Sequence, residues 1–231
     1  VELLRGLTGH DLRATCKDAR AQFDTHAPCR LVLVIDERAQ TADALVDSAL
    51  RELNSQPNAD AWQTAEGAFF GRGEAEGNIA VLFPGQGSQY CGMLRDITCT
   101  FPEMLEALEA ANAAYASTNR DDPRRLSDYA FPLPAFDNAT RKQQEENLRA
   151  TNVAQPALGA LSLGAWRVLQ RFGLKADAFA GHSFGEWTAL CAAGSLPEAD
   201  FHRFAALRGQ LMAEGGSGGM LAVRAPIDAV E

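Results

Sequence analysis

Ala176-Asp-Ala-Phe-Ala-Gly-His-Ser-Phe-Gly-Glu-Trp-Thr-Ala-Leu-Cys-Ala-Ala193 decides the fold, because a short apolar run breaks at five turn-forming residues and resumes with helical composition. Ala176 to Ala180 suits a short strand, and the chain from Gly185 to about Ala193 suits a helix with Gly194 at its C′ position. Gly181-His-Ser-Phe-Gly185 lies between them. A Gly-x-Ser-x-Gly turn joining a strand to a helix has the pattern of a nucleophile elbow, in which small residues permit a tight turn and leave the serine hydroxyl exposed. The competing reading is a glycine-rich turn in which Ser183 only caps the helix. The helix aims its first amides at the turn, which makes the Phe184 N–H a candidate donor to an oxyanion. His182 adjoins Ser183, but consecutive residues in a tight turn project differently, so it is read as structural and not as the general base.

Asn78-Ile-Ala-Val-Leu-Phe83 reads as a fully buried strand that ends in Pro84-Gly-Gln-Gly-Ser-Gln89, as expected of a parallel sheet with ligands at its carboxyl edge. Gln86 then offers a second oxyanion donor, from backbone or side chain, if the two strands are neighbours. Pro102 opens a helix through Tyr115, Asn119 to Asn138 should be mostly irregular, Thr140 to Ala150 is a charged helix and Pro156 to Phe172 an apolar one. Ser195 and Glu198 offer a capping box for a helix through about Ala213. That helix carries Arg208, whose paired guanidinium donors suit a carboxylate; alone, it would be an ordinary surface arginine.

Before Gly77 the chain reads as a small α/β unit. It has a helix from Asp11 to Phe23, a strand from Arg30 to Ile35, a Thr41-capped helix to Asn54 and a short strand at Gly67 to Phe70. Gly215 to Gly219 is a joint, followed by a strand at Met220 to Arg224 and a helix from Ile227. The expected organisation is thus residues 1–76, 77–217 and 218–231.

The 231 residues carry a formal charge of −9, which argues against a nucleic-acid surface. Arg124, Arg125, Arg141 and Lys142 form the one basic cluster on offer to an acidic partner, and solvated loop charge is the plainer reading. No apolar run approaches the ~18 residues of a membrane helix. Five scattered cysteines without a Cys-x-x-Cys pair suggest free thiols in a reducing cytoplasm, and no His or Cys spacing suggests a metal. Val1 and the lack of a signal-peptide pattern suggest a chain cut from a longer polypeptide.

Pro84-Gly-Gln-Gly-Ser-Gln89, Gln155-Pro-Ala-Leu158, Gly181-His-Ser-Phe-Gly-Glu186 and Arg208-Gly209, in that order, resemble the malonyl-CoA:acyl-carrier-protein acyltransferase family from about Asn78 onward. Phe83 to Tyr90, Phe101-Pro-Glu-Met104 and the elbow are similar to acyltransferase domains of polyunsaturated-fatty-acid synthases, with iterative type I polyketide synthases as near relations. The resemblance implies an α/β fold with a mainly parallel sheet flanked by helices, preceded by a small α/β adapter to a ketosynthase in the same polypeptide. A truncated ferredoxin-like subdomain would follow.

It also implies Ser183 as the acylated nucleophile, with Gln86 and the Phe184 amide as the oxyanion hole. Arg208 would hold the substrate carboxylate, with Gln155 and His182 around it. No bound cofactor is implied: malonyl-CoA is the substrate and the phosphopantetheine thiol of an acyl carrier protein the acceptor. The family's general base is a histidine on a later segment, expected beyond Glu231, which would leave the isolated chain impaired. Two other readings stay open: an α/β-hydrolase-type esterase or thioesterase, and a catalytically silent scaffold.

Overall fold

The computed structural model describes residues 2–73, 77–215 and 223–226, and the chain divides into two compact units, Val1–Gly77 and Asn78–Glu231. Of the strand expected at Met220 to Arg224 only Val223 and Arg224 are described; the joint expected at Gly215 to Gly219, apart from Gly215, and the helix from Ile227 lie outside the described residues.

The first unit contains α1 (Gly9–Ala21), β1 (Cys29–Leu33), α2 (Ala42–Ser55), β2 (Ala61–Gln63) and β3 (Ala68–Arg72). Its strands form an antiparallel sheet in the order β1-β3-β2, with Leu31 opposite Phe70 and Leu33 opposite Ala68. Alternation along β1 turns Leu31 and Leu33 toward Leu45 and Ala49 of α2 while Val32 stays exposed. Thr41 caps α2 as expected, its side chain accepting from the Ala44 N–H at 3.2 Å. β2 has no sequence signature, because three residues are too few to show an alternation. Its pairing with β3, and the stacking of Trp62 on Phe70 at 5.4 Å, are tertiary.

The second unit runs β4 (Ala80–Phe83), α3 (Arg95–Thr100), α4 (Pro102–Thr118), α5 (Leu126–Ala130), α6 (Asn138–Arg149), α7 (Thr151–Arg171), β5 (Ala178–Gly181), α8 (Gly185–Ala192) and α9 (Glu198–Glu214). β4 and β5 are parallel neighbours, with Phe83 opposite Gly181. The crossover between them carries the helices that make the core. Contrary to expectation, β4 is not fully buried. Val81 and Phe83 join the core on one face, while Leu82 on the other is 73% exposed, because no described helix covers it. α5 interrupts the stretch from Asn119 to Asn138 expected to be mostly irregular, and it forms because Leu126, Tyr129 and Ala130 bury one short face.

α7 is the central element, and every residue from Val153 to Gly164 is buried. It begins five residues before Pro156, the position expected to open it. A proline inside a helix forfeits one backbone hydrogen bond, but burial of Val153, Ala154 and Gln155 against neighbouring helices extends the helix through it.

α9 also departs from expectation. The N-cap is Pro197, and Ser195 forms no capping box. The Glu198 carboxylate is instead taken by Arg167 of α7 and by His202 Nε2 at 3.3 Å. His202 is 2% exposed, and its Nδ1 has no partner among the described residues. Burial, reinforced by the nearby Arg167 guanidinium, pulls this imidazole from 6.5 down to about 4. The unfolded chain therefore binds the extra proton first. The stabilisation is complete above pH 6.5, is lost as pH falls toward about 4, and amounts to on the order of 3 kcal/mol. Melting temperatures of the wild type and His202→Gln are expected to converge across that window, the glutamine keeping a donor for Glu198; parallel curves would refute a fold-held neutral imidazole.

The basic cluster is largely paired within the chain. Arg124 bonds Asp122 at 3.1 Å, Arg125 bonds Asp128 at 2.8 Å and Lys142 approaches Glu146 at 3.8 Å. Asp122 is a hub. Burial alone would raise its pKa, but donors from Tyr129, Arg124 and Tyr115 outweigh that and hold it at about 2. No helix among the described residues is long and apolar enough to cross a membrane.

Candidate active site

The elbow begins where β5 ends. Ser183 sits at φ +54, a left-handed conformation that a residue with a Cβ adopts at a cost of roughly 1–2 kcal/mol. Such strain persists only where the surroundings over-determine it. Here they do, because the His182 N–H donates to the Phe83 carbonyl (3.1 Å), the Gly185 N–H to the His182 carbonyl (2.9 Å) and the Glu186 N–H to the Ser183 carbonyl (3.2 Å). The two flanking loops touch through glycines. A Cβ on Gly185 would meet the Phe83 carbonyl oxygen at 2.2 Å, and one on Gly85 would meet the His182 carbonyl oxygen at 2.6 Å.

Ser183 is exposed and Phe184 is buried, its ring packed near Phe201 with a 6.2 Å centroid separation and against Gly159. The aromatic side chain anchors the residue after the serine, and its N–H donates to no protein acceptor among the described residues. The same holds for the Gln86 N–H. Two unspent amides therefore flank the turn, on loops that leave adjacent parallel strands.

His182 is exposed, with its ring beside Gly85. Among the described residues no imidazole is hydrogen-bonded to the Ser183 hydroxyl, and His202 is committed to Glu198.

The Gln86 side chain is used differently from its backbone. Its Nε2 donates to Thr151 Oγ1 at 3.1 Å, and its Oε1 accepts from Gln155 Nε2 at 3.1 Å. Gln155, 1% exposed, accepts in turn from Arg208 Nη1 at 2.6 Å, and its Nε2 also contacts the Met212 sulfur at 3.3 Å. Three residues singled out from separate motifs thus meet in one network. With both ends of its side-chain amide engaged, Gln86 keeps its backbone N–H unspent among the described residues.

Gly209 brings this about. A Cβ there would come within 2.9 Å of Asn152 Cα and the Thr151 carbonyl oxygen, so α9 lies hard against the start of α7 and Arg208 reaches Gln155. Sequence reading alone misses Thr151. It stands four residues before Gln155, a spacing that shares a helix face, but Pro156 places the expected helix start after both. Cavities of about 280 and 540 Å³ lie elsewhere on this unit, and neither is lined by Ser183.

A parallel β-sheet with helices packed on one face among the described residues, and with a serine elbow at its carboxyl edge, defines a hydrolase-like α/β architecture. More particularly, the chain belongs to the acyl transferase domain family, whose model matches residues 81–231. The chain is 29% identical to a polyunsaturated fatty acid synthase component of Thraustochytrium sp., over 75% of its own length and 6% of the relative's. Identity is 38% to the malonyl CoA-acyl carrier protein transacylase of Salmonella typhimurium, over 63% of this chain and 43% of that one. The crystal structure of the acyltransferase domain from the second module of the salinomycin polyketide synthase superposes with a TM-score of 0.60 at 27% identity, covering 89% of this chain and 46% of that one. The chain spans less than half the length of these relatives, and the family expected from the four motifs is the one found.

Proposed function

We propose that this chain transfers a malonyl-type acyl group from coenzyme A to the phosphopantetheine thiol of an acyl carrier protein, through an acyl-serine at Ser183. The observation that carries the reading is the strained, exposed Ser183 between two unspent amides, next to a network that ends on a half-buried arginine. The serine oxygen attacks the thioester carbonyl, and the resulting oxyanion lies between the Phe184 and Gln86 N–H groups. The coenzyme A thiolate leaves, and the carrier thiol later attacks the acyl-serine. Arg208 holds the free carboxylate, and Gln155 orients Arg208. His182 shapes the turn. The proton acceptor for Ser183 is not among the residues gathered at the elbow.

The first unit is read as the adapter to a ketosynthase in the same polypeptide, working in the cytoplasm. In support, the salinomycin acyltransferase domain covers more of the chain than its second unit alone can supply.

Single-turnover labelling tests the reading. Malonyl-CoA is expected to add one malonyl group to the Ser183 peptide, detected by mass spectrometry, with acetyl-CoA slower by about ten- to a hundredfold, the weight of one charge-assisted hydrogen bond. Ser183→Gly should remove the label while relieving the left-handed strain, raising stability by about 1 kcal/mol. Equal labelling by acetyl-CoA would favour an esterase.

A further inference from the structure

We infer that Thr151, Gln86, Gln155 and Arg208 form a polarised relay that couples recognition of the substrate carboxylate to the position of an oxyanion donor, making Thr151 and Gln155 positioning residues. This rests on the malonyl-transfer reading above and adds how the carboxylate is discriminated.

The polarity follows from chemistry. A guanidinium has only donors, so the Gln155 atom facing Arg208 at 2.6 Å must be the amide oxygen. That choice points Gln155 Nε2 at Gln86, whose facing atom at 3.1 Å must then be its oxygen. Gln86 Nε2 in turn faces Thr151 Oγ1, which accepts at 3.1 Å. Arg208 thus sets the direction of every bond to the far end. Gln155 is 1% exposed, so water does not readily replace either of its partners.

The two ends of the relay rest on different supports. Thr151 stands at the first turn of α7, held against Gly209 of α9. Arg208 has donors left after the one it gives to Gln155. A carboxylate on those donors fixes the guanidinium, which fixes the Gln155 amide, which holds the Gln86 side chain and with it the adjoining backbone N–H. A substrate lacking the carboxylate leaves the arginine free to turn. The Gln86 amide then keeps only its Thr151 anchor. Discrimination should therefore appear in the maximal rate of acylation, beyond its effect on half-saturation.

The test is single-turnover acylation of Ser183 by malonyl-CoA and by acetyl-CoA, each across a range of concentrations. In the wild type the malonyl preference should be visible in the maximal rates. Thr151→Val keeps the side-chain shape and removes the acceptor for Gln86. It is expected to raise the maximal-rate preference about tenfold, within the usual range for coupled sites, because Gln86 is then held by Gln155 with malonyl-CoA and by neither neighbour with acetyl-CoA, while leaving the ratio of half-saturating concentrations in place. Thr151→Ser keeps the acceptor and should return the preference to its wild-type value. Gln155→Met, close in volume, cuts the link between Arg208 and Gln86 and should do the opposite, lowering the maximal-rate preference, and also raise half-saturation for malonyl-CoA. If Thr151→Val slows both acyl donors by one common factor, or moves only half-saturation, the coupling is overturned. The chain is assayed within a longer acyltransferase that supplies the general base, and a wild type not malonylated at Ser183 there would instead defeat the underlying reading.

Discussion

Gly185→Ala is expected to unfold the Asn78–Glu231 unit, or to destabilise it by roughly 4 kcal/mol or more, the range reached when a buried backbone contact cannot be kept. The new Cβ would lie 2.2 Å from the Phe83 carbonyl oxygen and 2.7 Å from that of Pro84. Neither obstacle is a side chain that can swing away. The Phe83 carbonyl accepts from the His182 N–H, and Phe83 itself is paired with Gly181 across the parallel sheet, so moving it parts the two strands. Gly181 is confined in the same way, since a Cβ there would meet Gly185 backbone atoms at 2.1 and 2.2 Å. The glycines of the turn are thus required for close approach, while the positive φ falls on the serine between them. A urea titration followed by circular dichroism would check this: loss of cooperative unfolding, or a midpoint far below wild type, is the expected result. A midpoint within about 1 kcal/mol of wild type would show that the two loops do not pack as described.

Much of this site is legible in residue order. A strand, a five-residue turn and a helix are visible in Ala176 to Ala193 because apolar periodicity changes on either side of the glycines. The parallel strand before Gln86 is visible for the same reason. The links among Gln86, Gln155 and Arg208 are not, since they join residues 69 and 53 positions apart through side-chain amides, whose partners no local pattern specifies. Pro156 conceals Thr151, because a proline ordinarily marks a helix start and tertiary burial carries this helix through it. Glu198 misleads in the opposite direction: its spacing from Ser195 fits a local cap, but Arg167 and His202 recruit it. Errors of this type share a cause. Local rules rank the options for a backbone segment by differences of about 1 kcal/mol, and burial against a neighbouring helix outweighs that.

Arg208→Ala is expected to lower malonylation of Ser183 at subsaturating malonyl-CoA about ten- to a hundredfold per hydrogen bond lost, since each charge-assisted bond contributes roughly 1.5–3 kcal/mol. Acetylation should change much less. The arginine makes its one observed side-chain bond to Gln155, and no carboxylate among the described residues pairs with it, so an incoming acid faces no internal competitor. The truncation also leaves the buried Gln155 oxygen without its donor, at a cost of about 1–3 kcal/mol in stability. That loss must be measured beside the rates, by thermal unfolding, so that a generally weakened unit is not mistaken for lost recognition. Arg208→Lys separates the two effects. An ammonium keeps the charge but is a single point where the guanidinium presents a planar fork. It cannot serve Gln155 and a substrate carboxylate in the same geometry. Lysine should therefore recover most of the stability and only part of the malonyl preference. Acetylation that fell as far as malonylation in both variants would reduce Arg208 to a structural residue of α9.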